Sequence, residues 1–152
     1  MSGAAIVYAA DPRFSAVHNM GALLATIGAT FTRGGLAPVA TSVVVRRAQL
    51  RAVSPAHHVV VIGHSLRGRG LVLADASELS APDVHGWLRT LGADVVWWFS
   101  CWGEDTGLRE LAATGALRDS VVCPGPLLVT DLPRVVERTL ARWSVAAAGD
   151  AS

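Results

Sequence analysis

The hydrophobic residues of this chain form short runs, and several of them are continuously apolar over strand length. The predicted strands are 4–10, 40–45, 58–62, 71–73, 94–99 and 121–129. Unbroken apolar runs such as 59–62 and 95–99, within two of these strands, are typical of parallel strands that are buried on both faces. The last run is interrupted by Pro124-Gly125-Pro126, so a break in that strand is expected.

Between these runs, apolar residues recur at helical spacing. The predicted helices are 20–32, 46–53, 81–91, 107–117 and 132–143. Ser80 and Asp131 stand where N-caps are favoured, each with a proline shortly behind it. Asp11-Pro12-Arg13 predicts a turn after the first strand. The tail 146–152 is predicted to be disordered.

Alternating strands and helices predict a single α/β domain over residues 1–152. Its sheet should be mostly parallel, with helices on both faces. In such folds, binding and catalytic sites form beyond the C-terminal ends of the strands. The residues that follow Ala10, Ile62 and Phe99 are therefore the first place to look for chemistry.

Composition and charge narrow the function classes. The formal net charge of +1 gives no electrostatic footprint for DNA or RNA, so no nucleic-acid partner is expected. The apolar runs are too short to cross a membrane, and the first residues do not resemble a signal peptide. We therefore expect a cytoplasmic protein with no membrane partner. All thirteen basic residues are Arg, which excludes mechanisms that need Lys.

No metal or cofactor is expected. The two cysteines, Cys101 and Cys123, provide neither a disulfide framework nor a zinc cage. His57 and His58 are adjacent in a predicted strand, where neighbouring side chains point to opposite faces, so they make a poor metal pair. No glycine-rich phosphate loop follows the first strand.

A histidine and a cysteine follow two of the apolar strands. His64 comes after the strand 58–62, and Cys101 comes after the strand 94–99. A cysteine nucleophile acts as a thiolate, which a nearby histidine can generate or stabilise. Backbone N–H groups in the turns after both residues can bind a developing oxyanion. The plainer alternative is a small buried cysteine and a structural histidine, and spacing alone leaves both interpretations open.

The surrounding motifs extend this pattern over about residues 43–129. HHVVVIGHS is followed by GLVLAD with an acidic turn at Asp75, then by a helix opened by LSAPDV, and then by ADVVWWFSCWGED. This arrangement resembles the CHAT and caspase-like cysteine peptidases of the caspase–hemoglobinase fold. In that family a His closes one strand, and a small residue and Cys, here Ser100-Cys101, close the next. The resemblance implies a caspase-like three-layer architecture.

The resemblance also implies roles for individual residues in cleaving a peptide or protein substrate. Cys101 would attack the peptide carbonyl, and His64 would protonate the leaving amine. The backbone N–H groups of Ser65 and Cys101 would form the oxyanion site. Phe99 would line the pocket for the P1 side chain, on the amino side of the cleaved bond. Arg13 lies where some members of the family place an arginine for an acidic P1 side chain.

Other interpretations stay open. Trp102 either packs in the core or walls a substrate groove, and Arg13 is otherwise a solvated turn residue. Ser65 replaces the small residue, usually Gly, that follows the His in this family, and the chain is short. A catalytically inactive caspase-fold interaction module, which would bind a protein partner or a second copy of itself, is therefore the main alternative.

A more remote alternative is an α/β-hydrolase-like enzyme centred on Ser65. Gly63-His64-Ser65 looks like the start of the nucleophile elbow G-x-S-x-G. The final glycine is replaced by Arg67, and the chain continues as a turn and a strand rather than a helix. The last histidine, His85, also comes early for the third member of such a triad.

Overall fold

The computed structural model describes residues 3–65, 70–101, 106–122 and 127–150. The strands are β1 (Ala4–Ala9), β2 (Val39–Val44), β3 (His58–Ile62), β4 (His64–Ser65), β5 (Leu71–Val72), β6 (Glu78–Leu79), β7 (Val95–Phe99) and β8 (Asp119–Val122). The α-helices are α1 (Pro12–Val17), α2 (Met20–Arg33), α3 (Ala81–Thr90), α4 (Leu108–Ala113) and α5 (Leu132–Asp150). Two 3₁₀ helices cover Arg47–Ala52 and Val129–Asp131.

The main sheet is parallel throughout, in the order β2-β1-β3-β7-β8. Tyr8 in β1 is opposite Ile62 in β3, which in turn is opposite Phe99 in β7. The C-terminal ends of these three strands therefore lie side by side at one edge. The predicted α/β fold with a mostly parallel sheet is confirmed. A small antiparallel sheet, β4-β5-β6, follows β3 and was not predicted beyond the strand at 71–73.

Helices cover both faces of the main sheet and give it three layers. One face packs against α2 and α5, and its buried residues include Ile6, Val60, Trp97, Ile27 and Val136. The other face packs against α3, α4, the 3₁₀ helix at 47–52 and the small sheet, and its buried residues include Val7, Val61, Trp98, Leu88 and Leu108. The neighbours Trp97 and Trp98 are thus buried on opposite faces, as strand geometry requires.

Several boundaries differ from the sequence predictions for local reasons. A helix, α1, follows β1 in place of the predicted turn, because Pro12 suits a first helical position and Asp11 accepts a hydrogen bond from the backbone N–H of Arg13. Helix α4 is shorter than predicted and is followed by Gly115 at φ 80°. Helix α5 continues to Asp150, beyond its predicted end near Trp143, so the tail predicted to be disordered is helical to that residue.

Within the described ranges, none of the helices combines the length and the apolar character that a membrane span requires.

Candidate functional site

His64 and Cys101 line the same small cavity at the C-terminal edge of the main sheet. Strands β3 and β7 are hydrogen-bonded neighbours, so the residues that follow them meet at this edge. The cavity has a volume of about 30 Å³, which is the space of about one water molecule. Its walls are mostly apolar and include Met20, Ile62, Phe99 and Leu132. The two residues predicted to be catalytic therefore share one pocket.

Gly63 allows the backbone after β3 to pass close to the end of β1 and to β5. A Cβ atom at position 63 would lie 2.8 Å from Cβ of Ala9 and 2.9 Å from Cδ1 of Leu71. Real side chains do not tolerate such contacts, so only glycine fits between the end of β1 and the strand β5 without movement. The next residue, His64, opens β4 and is half-buried, opposite Val72 of β5. The small antiparallel sheet thus holds the backbone of His64 in place.

The Cys101 thiol contacts a segment that the sequence analysis did not connect with it. The backbone N–H of Leu127 donates to Sγ of Cys101 at 3.2 Å, and Sγ lies 3.6 Å from the carbonyl oxygen of Leu127. Cys101 itself is half-buried. The N–H of Leu127 is a donor that would stabilise negative charge on the sulfur. A backbone contact of this kind leaves no mark in the residue types, so a role for Leu127 could not be predicted from the sequence.

Ser65 turns its side chain into the protein interior and is 3% exposed. Its hydroxyl lies 2.9 Å from the hydroxyl of Ser100 and donates to the carbonyl oxygen of Cys101. The segments of His64 and Cys101 are therefore tied together beneath the cavity. A buried hydroxyl with these partners is poorly placed to act as a nucleophile, which disfavours the hydrolase-like alternative. His85, the late histidine considered for it, bonds instead to the carbonyl oxygen of Thr106 at 3.0 Å.

Arg13 is paired with an acidic residue of its own chain. Its Nη2 lies 2.7 Å from Oδ2 of Asp11, and its Nε donates to Oδ1 at 3.1 Å. The side-chain hydrogen bond from Arg13 lowers the pKa of Asp11 below its usual value, against the opposing effect of burial, and the charge of His64 acts in the same direction as Arg13. Arg13 is not part of the cavity wall. Asp11, 6% exposed, does not line the cavity but interacts with the charge of His64, and from the sequence it was predicted only as part of a turn.

Phe99 is buried and lines the cavity beside Cys101, the position in which it was predicted to contact a P1 side chain. Trp102, the predicted groove wall, and Cys123 lie outside the described residues. In the described part of the chain, His, Cys, Asp and Glu side chains form no group of three that could hold a metal ion.

Comparisons with known proteins do not identify a family for this chain. No family model, no curated protein and no solved structure matches it. The resemblance to caspase-like peptidases, carried by the motifs around His64 and Cys101, therefore stays a prediction.

Proposed function

We propose that this protein is a cysteine peptidase, or a related acyl-transfer enzyme, with Cys101 as its nucleophile and His64 as its general acid–base. The observation that carries the proposal is the shared cavity: a cysteine and a histidine from neighbouring strands line one pocket at the sheet edge where α/β sites form. A dyad of this kind needs no metal and no cofactor. A reactive free thiol also suits the cytoplasmic location expected from the sequence.

The reaction would proceed in two balanced steps. In the first, the Cys101 thiol gives its proton to His64, and the sulfur attacks the substrate carbonyl carbon. The C–N bond then breaks, His64 returns the proton to the leaving amine, and a thioester remains on Cys101. In the second, water attacks the thioester while His64 takes a proton from it. The C–S bond breaks, the acid product leaves, and the proton returns to the sulfur.

Backbone donors would stabilise the oxyanion of each tetrahedral intermediate. The N–H groups of Ser65 and Cys101 are the proposed donors. Their segments are joined by the hydroxyl contacts of Ser65, which favours a fixed spacing between them. The N–H of Leu127 adds a third donor close to the sulfur itself.

The proposal is tested by intact-mass analysis after brief treatment with limiting iodoacetamide. The wild type is compared with Cys101→Ala, His64→Ala and His57→Ala, the last as a matched control because His57 lies at the opposite edge of the sheet. We expect fast labelling in the wild type and His57→Ala, and loss of it in Cys101→Ala and His64→Ala. Labelling of Cys101→Ala measures the rate of Cys123 alone, and this rate is the reference for the other samples.

The alternative function, a non-catalytic interaction module, is favoured by one contact. Leu127 engages the Cys101 sulfur through both its N–H and its carbonyl oxygen, as a structural thiol would be engaged. Under this alternative, Cys101 is labelled slowly and at the same rate whether or not His64 is present. That result would replace the peptidase proposal.

A further inference from the structure

The described side chains that line the cavity beside Cys101 offer a substrate few polar contacts. Met20, Ile62, Phe99 and Leu132 are apolar lining residues, and among the described residues the polar side chains in the wall are only His64, Ser100 and Cys101. Two of these three belong to the proposed dyad, and the Ser100 hydroxyl is already 2.9 Å from that of Ser65. Among the described residues of the wall, His64 and Cys101 are the only ionisable groups, so none is left over to match a charged substrate side chain.

Arg13, the arginine predicted to face an acidic P1 side chain, is paired with Asp11 instead. Both the Nε and the Nη2 of Arg13 bond to the carboxylate of Asp11. Because Asp11 neutralises it, Arg13 offers little attraction to a second carboxylate. The guanidinium side chain is also 71% exposed, so water screens whatever field remains.

We propose that, in the peptidase reaction proposed above, this cavity is the P1 pocket and that it selects a small, uncharged P1 side chain such as that of alanine. The proposal rests on the proposed function and adds a substrate class to it. Two features set the selection. The volume of about 30 Å³ leaves no room for a long or aromatic side chain without displacement of the walls. Burial of an Asp or Arg side chain among these walls would leave its charge unpaired.

Peptidyl chloromethyl ketones that differ only at P1 test the selection. Cys101 sulfur displaces chloride from such a probe: the S–C bond forms, the C–Cl bond breaks, and the thiol proton passes to His64. The P1 residues compared are Ala, Leu, Asp and Arg. The labelling rate of the full chain is measured by intact mass, and the rate of Cys101 is obtained by subtracting the rate of Cys101→Ala with the same probe. We expect the Ala probe to react more than about tenfold faster than the Asp and Arg probes, because an unpaired buried charge costs more than ~1.4 kcal/mol.

Enlarging the pocket gives the specific test. Met20→Ala removes a wall of the cavity and should raise the Leu-to-Ala rate ratio severalfold. Leu24→Ala is the matched control, because Leu24 lies on the same helix and is equally buried (6% exposed, against 7% for Met20) but does not line the cavity. An unchanged ratio in Met20→Ala, or the same change in Leu24→Ala, would overturn the assignment of the pocket.

The iodoacetamide rate separates this inference from the function on which it rests. Fast labelling that depends on His64, together with an Asp or Arg probe as the fastest of the series, refutes the P1 selection and leaves the peptidase proposal standing. Slow labelling that is independent of His64 removes both.

Discussion

The hydroxyl oxygens of Ser65 and Ser100 lie 2.9 Å apart in the interior, and this contact joins the strand that carries His64 to the residue before Cys101. Ser65 also donates to the carbonyl oxygen of Cys101, and Ser100 lies 3.3 Å from the same oxygen. Three polar groups therefore satisfy one another just beyond the C-terminal ends of the parallel strands β3 and β7. The spacing between the proposed nucleophile and the proposed acid depends on this cluster.

Ser65→Ala should weaken both stability and reactivity. The loss of a buried hydroxyl pair costs about 1 kcal/mol of unfolding free energy, which urea denaturation measures. Because the hydrogen bonds that join the segments of His64 and Cys101 are lost, we also expect alkylation of Cys101 to slow severalfold.

Ser80→Ala is the matched control for this variant. It makes the same chemical change and removes the N-cap of α3, at a similar cost of about 1 kcal/mol. The helix cap lies away from the cavity wall, so alkylation should keep its wild-type rate. Equal slowing in both variants would mean that the Ser65 contact acts on general stability and not on the site.

The sequence predicted the layout of this fold because the layout follows from burial. Residues 59–62 and 95–99 are apolar at every position, and both runs are buried on two faces in the structure. Placing His64 and Cys101 at one edge then required only that β3 and β7 be neighbours. The contact between Leu127 and the Cys101 sulfur uses backbone atoms, which every residue has, and it could not be predicted.

The pairing of the Asp11 and Arg13 side chains could not be predicted from the sequence either. A sequence of Asp-Pro-Arg is typical of a turn, and nothing in it distinguishes a solvated arginine from one folded back on a buried carboxylate. The strands β4 and β6 are two residues each, too short to carry a hydrophobic period. The pairing of Asp11 with Arg13 and the small antiparallel sheet therefore appear only in the structure.

Asp11 should contribute to stability at neutral pH and lose that contribution in acid. The hydrogen bond from Arg13 holds the pKa of Asp11 below the value of about 3.9 that an unfolded chain shows. The unfolded chain therefore takes up this proton first, so the contribution is complete above about pH 4 and falls as the pH drops through the folded pKa. Asp11→Asn should be less stable than the wild type at pH 7, and the difference should shrink from pH 4 to pH 3 in urea denaturation.

Arg13→Gln provides the control for this acid effect. It removes the group that lowers the pKa of Asp11 most. The difference between Arg13→Gln and the double variant with Asp11→Asn should therefore change much less between pH 7 and pH 3. A difference as strongly pH-dependent as in the wild-type background would show that Asp11 owes its acidity to another group, first the backbone N–H of residue 13, which the variant keeps, and then the charge of His64.

His58 should destabilise the fold as the solution becomes mildly acidic. Its ring is buried between Trp97 and Trp143, and its Nδ1 accepts a hydrogen bond from Nε1 of Trp97 at 3.1 Å. Burial lowers the pKa of His58, and the charge of Arg118 lowers it further. The unfolded chain therefore binds this proton at a pH near 6.5, where the folded protein does not.

The free energy of unfolding should consequently fall as the pH drops below about 6.5, until the folded pKa of His58 is reached. His58→Gln keeps an acceptor for Trp97 but cannot titrate, so its stability should change less between pH 7.5 and pH 5. The urea midpoint of the wild type and of His58→Gln at both pH values measures the effect. An identical decline in the wild type and His58→Gln would assign it to other groups.

Trp98 and Trp87 should respond differently to replacement by phenylalanine. Nε1 of Trp98 is buried and has no hydrogen-bond partner within the described residues, whereas Nε1 of Trp87 donates to the carbonyl oxygen of Leu50 at 3.2 Å. Trp98→Phe removes a donor whose unpaired burial costs about 1–3 kcal/mol, which offsets part of the packing loss. Trp87→Phe loses a hydrogen bond with a net contribution of about 1 kcal/mol, although the N–H of Val53 still satisfies the oxygen of Leu50.

Urea denaturation should therefore show the larger loss of stability for Trp87→Phe, even though Trp98 is the more deeply buried of the two. A larger loss at Trp98 would indicate that its indole N–H has a hydrogen-bond partner in solution, such as a water molecule.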